Sequence, residues 1–398
     1  MITYPLGFEA AGIAAGLKPS GREDLALLVA PPGATAAGLF TTNRVQAAPV
    51  RLARERLGRT GGVARAVLVN SGQANAGTGE RGLADAVATT DALAALLGCA
   101  PDEVLPCSTG VIGEPLPVEA IRRALPALVA ARSPEGSAAF ARAILTTDTV
   151  DKQAAAEADG YRVGGAAKGV GMVAPHLATM LAFVTTDAPV SAADLSVLAD
   201  EALRPAFEAI TVDGCTSTND SVLLLASGAA DGEPVVPGTP AWVALAGACR
   251  RVADELARRL IADAEGAEHV LIVDVEGAAS ERDAGRLARA VADSPLVKTA
   301  AFGRDPNPGR ILQALGAAGV ELDPTSIDVW IADVRVVEAG VIPPAYFGDD
   351  GLRASASAAM AGSEIPVRVR VGGGPGTARV LGCDLTYGYV RINGEYTT

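Results

Sequence analysis

Histidine is scarce in this 398-residue chain: His176 and His269 are the only two, against 46 aspartates and glutamates and 33 lysines and arginines. A Ser–His–Asp enzyme would have to take its base from that pair. Neither lies in a G-x-S-x-G or comparable nucleophile setting. His269 opens an apolar run and reads as a partly buried structural residue, and His176 reads as a local hydrogen-bonding one. Metal chemistry would show HExxH, clustered His and Asp, or paired cysteines. None is present, so no metal is expected. Cys99, Cys107, Cys215, Cys249 and Cys383 are dispersed without a C-x-x-C pair, as small apolar fillers in a reducing compartment would be. The glycine-rich run 164–171 holds Lys168 but lacks G-x-x-x-x-G-K-[ST] in frame. No G-x-G-x-x-G joins a strand to a helix with an acidic residue about 20 positions on.

That leaves hydroxyls. The run from Lys168 to Phe183 reads as a flexible glycine turn, a stop at Pro175, then an apolar strand that begins with Thr179. A threonine opening a strand is ordinarily explained by β-propensity alone. The elements that would carry it alternate along the whole chain. Residues 64–70 read as a buried strand, followed by a glycine-rich turn and a helix over 82–97. Helices are expected over 118–131, 137–145, 191–210 (capped by Ser191), 239–263 and 280–293. Interior strands are expected at 221–226 and 269–275. Period-two alternation at 327–337 and 367–371 gives two more, and 377–386 completes a hairpin after the turn 372–376. The C-terminal part reads as the richer in strands. The expected fold is mixed α/β or α+β, sheets covered by helices on their outer faces, with no sharp domain boundary.

Hydrophobic residues make up 49% of the chain and charged residues 20%, enough for a packed core and against disorder. The net charge of −13 repels phosphate backbones, so nucleic acid and anionic membrane are not expected partners. Residues 1–5 carry no basic segment leading into an apolar run, and no apolar stretch reaches about 20 residues. The expectation is a cytoplasmic globular protein.

The segment 168–181, K-G-V-G-M-V-A-P-H-L-A-T-M-L, resembles the ornithine acetyltransferase (glutamate N-acetyltransferase) family of arginine biosynthesis, whose motif reads K-G-x-G-M-x-A-P-x-x-A-T-M-L. Further resemblance runs through the chain: N-S-G-Q-A-N-A at 70–76, S-T-G-V-I-G at 108–113, T-T-D-T at 146–149, T-V-D-G at 211–214, S-T-N-D at 217–220, D-A-E-G-A at 263–267, S-P-L-V-K-T-A at 294–300, G-R-D-P-N at 303–307 and G-Y-V-R-I-N-G-E-Y-T-T at 388–398.

The resemblance implies a precursor that cuts itself between Ala178 and Thr179, leaving an α-chain of residues 1–178 and a β-chain of 179–398. The Thr179 hydroxyl attacks the Ala178 carbonyl in an N-to-O acyl shift, and water hydrolyses the ester. The freed α-amine, with an ordinary pKa of about 7.7–8.0, then serves as base for its own hydroxyl, which removes the need for histidine. Thr179 would carry acetyl from N-acetylornithine to glutamate by a ping-pong route. Thr109 and Gly110 match the oxyanion-stabilising pair. Lys168, Glu265, Asn393, Thr398 and Thr146 match substrate contacts, though Thr147 is the alternative for the last. No cofactor is implied; acetyl-CoA remains open as a second acetyl donor, with the charge and the missing phosphate motif leaning towards recycling alone. The family assembles as two α- and two β-chains, on a fold akin to self-cleaving aminopeptidases. An amide hydrolase using water in place of glutamate, or a non-catalytic binding protein, are the other readings. Four positions depart from the pattern: Cys215 for Asp, Pro308 for Trp, Asp151 for Pro, and His176 at a variable site.

Overall fold

The computed structural model describes residues 1–173, 180–348 and 351–395. The chain forms two compact units, Met1–Glu208 with Cys215–Leu260, and Ala209–Gly214 with Ile261–Thr397. The chain makes the short excursion 209–214 into the second unit and returns, so no linker composition marks the division.

Nine strands lie in the first unit: β1 (Glu9–Ile13), β2 (Leu25–Val29), β3 (Thr35–Phe40), β4 (Ala66–Gln73), β5 (Val104–Val111), β6 (Lys152–Ala158), β7 (Tyr161–Lys168), β8 (Leu181–Thr186) and β9 (Ser221–Ala226). They make two sheets, in the orders β1-β2-β4-β5 and β3-β9-β8-β7-β6. Among the described residues of this unit, only the β4–β5 and β8–β9 pairs are parallel. Runs such as Leu-Ala-Leu-Leu-Val and Ser-Val-Leu-Leu-Leu-Ala are buried along their whole length, as strands covered on both faces must be. Leu28, Val67 and Leu105 of one sheet and Leu181, Phe183 and Leu223 of the other belong to a single buried cluster. The two sheets therefore face each other. Phe140 meets Phe183 edge-to-face, centroids 5.3 Å apart, a geometry that aromatic quadrupoles favour. Leu27, Leu68 and Val104 turn the other way, towards the helices Gly79–Leu97 and Val118–Ala130. Gly165 of β7 faces the helix Pro240–Ala262; a Cβ there would stand 2.8 Å from Val252 and 2.9 Å from Leu256. The layers run helix, sheet, sheet, helix, in keeping with the mixed α/β expectation.

The second unit holds β10 (Val270–Ala278), β11 (Asp328–Ile331), β12 (Val334–Val337), β13 (Glu364–Arg370) and β14 (Gly376–Cys383), in the order β12-β11-β13-β10-β14. Val367 and Val369 are buried and Arg368 and Arg370 exposed, as the alternation demands. The inner face packs on the helix Glu281–Asp293 through Ala284, Leu287, Ala288 and Val291, and that helix is capped by Ser280, whose hydroxyl accepts from the Asp283 N–H at 3.1 Å.

Four expectations are corrected. The run 377–386 does not form a hairpin with 367–371: β14 pairs antiparallel with β10, which stands between it and β13. The glycine turn crosses the end of β10, where Gly372 O would lie 2.3 Å from a Cβ on Gly277. The stretch 327–337 is two strands with a reversal at Ala332, φ +48°. The helix expected over 191–210 is broken into Ala192–Leu198, a π-helical turn Ala199–Leu203, and Arg204–Glu208. Pro205, which has no N–H to give, sits at that break. Strands are also more numerous in the first unit than in the C-terminal one. Among the described residues no helix is long and apolar enough to cross a membrane.

If the two facing sheets share one core, Phe183→Ala removes an aromatic that is fully buried and should cost about 3–5 kcal/mol of unfolding free energy, measured by urea titration. A loss below about 1 kcal/mol would show that this contact contributes little.

Candidate active site

Parallel pairing of β4 with β5 sets Ser71 beside Thr109 and Gly72 beside Gly110. Gly110 has φ +129°, and a Cβ on it would fall 2.2 Å from the backbone of Gly72. Only glycine allows so close an approach of two chains. The motif loops around this pair are tied to one another by one amide. Asn219 Nδ2 donates to the carbonyls of Ala74, at 2.6 Å, and Ser108, at 2.9 Å. Ser108 in turn donates to Asn70 Oδ1 at 2.6 Å. Three of the recognised motifs, 70–76, 108–113 and 217–220, thus close on each other through buried polar contacts.

Lys168, at the end of β7, is 2% exposed. Its ammonium donates to Thr146 Oγ1 at 2.7 Å and Thr109 Oγ1 at 3.1 Å, and stands 3.7 Å from Asp148 Oδ2. Three residues expected in the site from distant parts of the sequence therefore meet at one point. Of the two neighbouring threonines considered for substrate contact, Thr146 places its hydroxyl as an acceptor for Lys168. Because Thr109 Oγ1 accepts from Lys168, its own O–H is available to donate elsewhere. That is the arrangement a hydroxyl needs if it is to stabilise a developing oxyanion.

Asp148 was not singled out by the sequence reading, although it lies inside T-T-D-T. Its Oδ1 accepts from Lys152 Nζ and from the Gly169 N–H, both at 2.8 Å, and its Oδ2 accepts from the Thr146 N–H at 3.2 Å. Lys152 and the Asp148 side chain are fully buried. Burial alone would raise this carboxyl, but Lys168 and Lys152 outweigh it and bring it down to about 2. Lys18 is the other omission. It lies within electrostatic reach of Lys168 and Asp148, and burial lowers its ammonium to about 8. Its Nζ donates to Glu23 O at 2.8 Å. A signal for Asp148 existed, an acidic residue flanked by hydroxyls two positions after Thr146. Nothing marked Lys18.

Asp220 belongs to the same unit. Its Oδ1 accepts from the Met180 N–H at 2.9 Å. Burial pushes its carboxyl well above the usual carboxylate range, against the Met180 and Ser217 hydrogen bonds and the attraction of Lys168. Thr179, Ala178 and His176 lie outside the described residues, as does Thr398.

Within the second unit, Glu265 and Asn393 are brought together: Asn393 Nδ2 donates to Glu265 Oε2 at 3.0 Å. The helix Tyr387–Glu395, which buries none of its side chains, is clasped to the 263–267 loop. The Thr386 hydroxyl donates to Gly266 O, and a Cβ on Gly266 would meet the Tyr389 nitrogen at 2.3 Å. Tyr389 OH donates to Asp213 Oδ2 at 3.1 Å. His269 has the structural role expected of it, with Nδ1 2.8 Å from Asp384 Oδ2. Of the four departures, Pro308 has a physical reason. It is the first residue of the helix Pro308–Ala317, which Asn307 caps through the Arg310 N–H at 3.2 Å, and proline at that position loses no hydrogen bond. Asp151 accepts from Gln153 Nε2 at 2.7 Å, and Cys215 is exposed.

A family model described as the ArgJ family matches residues 9–398. Among curated proteins, the "Arginine biosynthesis bifunctional protein ArgJ" of Parasynechococcus marenigrum is 47% identical over all of this chain and 95% of its own length. The protein of the same name from Prochlorococcus marinus is 46% identical, over 100% and 93% respectively. Among solved structures, an ornithine acetyltransferase from Mycobacterium tuberculosis complexed with ornithine is 46% identical where aligned, with a TM-score of 0.42, covering 44% of this chain and 94% of that one.

Removing one partner of a buried charge cluster typically costs about 3–5 kcal/mol, so Asp148→Asn should destabilise the protein on that scale in denaturant unfolding. The sign with pH follows. A carboxyl held near 2 in the fold, below its unfolded value of about 3.9, contributes stability at neutral pH that is lost as pH falls from about 4 through 2. The variant should lose that part of the acid-limb slope; an unchanged slope would show that Asp148 is not held ionised by the two lysines.

Proposed function

The chain belongs to the ArgJ family, acetyltransferases of arginine biosynthesis, and from that premise we propose that it moves acetyl from N2-acetyl-L-ornithine to L-glutamate through an ester on Thr179, after cutting itself between Ala178 and Thr179. The observation that carries the reading is the meeting of Lys168, Thr146 and Thr109, three matched positions, in a buried site next to glycine-tight backbone.

In this mechanism the α-amine of Thr179 takes the hydroxyl proton as Oγ attacks the acetyl carbonyl. The negative charge that forms on the carbonyl oxygen is met by the Thr109 O–H and the Gly110 N–H. Such a donor is worth about 2.7–4 kcal/mol of barrier. Lys168 contributes twice, by fixing Thr109 as an acceptor and by placing positive charge beside the developing anion. The tetrahedral intermediate collapses, ornithine leaves with the proton, and the acetyl stays on Thr179. Glutamate then attacks the ester and leaves as N-acetylglutamate. Glu265 and Asn393, with Thr398, are proposed as contacts for the charged ends of the substrates.

No bound cofactor is needed for this chemistry. The relatives are named bifunctional, which supports a second acetyl source at the same nucleophile, for which acetyl-CoA is the proposed donor. The proposed setting is the cytoplasm, and the proposed assembly two chains of residues 1–178 with two of 179–398, as the family resemblance implies.

Two measurements on purified protein test this. Intact mass should show the wild type as two fragments, one beginning at Thr179, and Thr179→Ala as one unbroken chain. Ornithine release from acetylornithine should continue to completion only when glutamate is present. Steady release without glutamate would make the enzyme a hydrolase, and an unbroken, fully active wild type would end the proposal.

A further inference from the structure

Lys18 has no part in the acetyl transfer just described, yet a tightly held loop sets it beside the oxyanion pair. The Asp24 carboxylate is fully buried and accepts from three amides of that loop, the N–H groups of Ala15 and Leu17 at 2.6 Å and of Lys18 at 3.0 Å. The Asp24 carbonyl accepts from the Ser71 N–H at 2.9 Å, and Ser71 is the β4 partner of Thr109. Gln73 Nε2 donates to Leu17 O at 3.1 Å. Between them, a Cβ on Gly72 would stand 3.1 Å from Leu17 O and 3.6 Å from Lys18 Cγ, and the backbone of the same Gly72 is the one that Gly110 approaches.

The head of the side chain is only partly satisfied. Lys18 is half-buried, and its ammonium donates to Glu23 O at 2.8 Å. Among the described residues it has no carboxylate at ion-pair distance, so donors remain for another group. The charges within its reach are Asp24, Arg22, Lys168 and Asp148. Lys168 is committed to Thr146, Thr109 and Asp148, and Asp148 also holds Lys152. Two lysines gathered at one point, in a chain of net charge −13, are arranged to receive an anion.

We propose that Lys18 binds the α-carboxylate of the amino acids that exchange the acetyl group. The inference rests on the reading of the chain as an acetylornithine–glutamate transferase, and it names the residue that selects those substrates. The chemistry of the two substrates supplies the reason. In N2-acetylornithine the carboxylate carbon is three bonds from the acetyl carbonyl carbon, through the nitrogen and Cα. When glutamate attacks, its own α-carboxylate takes up the same separation from that carbon. A cation fixed beside the strand residue that backs Gly110 therefore meets one common group in both halves of the exchange, while the side chains beyond Cα differ. Contact with a carboxylate also offsets the burial that depresses the Lys18 ammonium.

N-acetylputrescine, which is N2-acetylornithine without its carboxylate, separates this role from a structural one. Wild type, Lys18→Met and Lys18→Gln are compared, with thermal unfolding as the check on folding; glutamine keeps a donor for Glu23 O, and methionine keeps the stem. Each compound is read by its kcat/KM as acetyl donor, which reports the first half of the exchange alone, or by its inhibition constant where it is not turned over. Both variants should lose about tenfold to a hundredfold on acetylornithine and stay within about twofold of wild type on acetylputrescine. The KM for glutamate should rise with the loss on acetylornithine, and Lys18→Arg should restore the preference for the carboxylated donor. An equal loss on both compounds, or no loss on acetylornithine, overturns the proposal. So does a wild type that takes the two compounds equally well, a result that needs no variant to fold. A wild type that releases no ornithine from acetylornithine removes the transferase reading itself, which is distinct from an active wild type whose Lys18 variants fall alike on both compounds.

Discussion

A lysine ammonium held away from water by two threonine hydroxyls and one carboxylate is the constraint from which the rest of the first unit follows. Burying an isolated charge is prohibitively costly, so it must be met by partners in good geometry. Lys168 meets Thr146 and Thr109 by hydrogen bonds and Asp148 across 3.7 Å. Asp148 in turn holds Lys152 and the backbone of Thr146 and Gly169. No member can be removed without stranding another. The consequence for chemistry is directional: a threonine oxygen that accepts from a cation has its proton left for something else.

Holding that cluster requires residues 109, 146 and 168 to converge, and two facing sheets accomplish it. β5 carries Thr109 at its end in one sheet, while β7 ends on Lys168 in the other. The shared core between the sheets sets their spacing. Gly110 lets β4 and β5 approach at that point, and Asn219 ties the loops beyond them. The apolar periodicity of the strands and the polar closure of the loops thus act on one feature from opposite sides. Such agreement between levels is what specifies a single arrangement.

Much of this was legible in the sequence, for reasons that differ by residue. Buried strands such as 66–70 and 221–226 announce themselves as unbroken apolar runs, and the helix 281–293 by its cap and its spacing. The candidate site residues Thr109, Lys168, Thr146, Glu265 and Asn393 came from motif resemblance, since no spacing rule links positions so far apart. What stayed hidden was tertiary. The placement of β10 between β13 and β14 depends on a glycine loop passing over a strand end, which local pattern does not encode. Asp148 and Lys18 acquire meaning only from neighbours distant in sequence or from burial. Asp220 lay in plain view inside S-T-N-D, but its burial and its bond to the Met180 N–H are properties of three-dimensional packing. Pro205 marks the break in the helix after Leu198, yet the apolar spacing runs on through the proline.

Transfer by this route requires one threonine to carry the acetyl group, and trapping the group there is the decisive measurement. Enzyme incubated with acetylornithine in the absence of glutamate, then denatured and weighed, should show the fragment beginning at Thr179 heavier by one acetyl group. Peptide mapping should place that group on Thr179, and later addition of glutamate should remove it. Ornithine release with no acetylated fragment at any time, or an acetyl group on a different residue, would rule out Thr179 as the carrier.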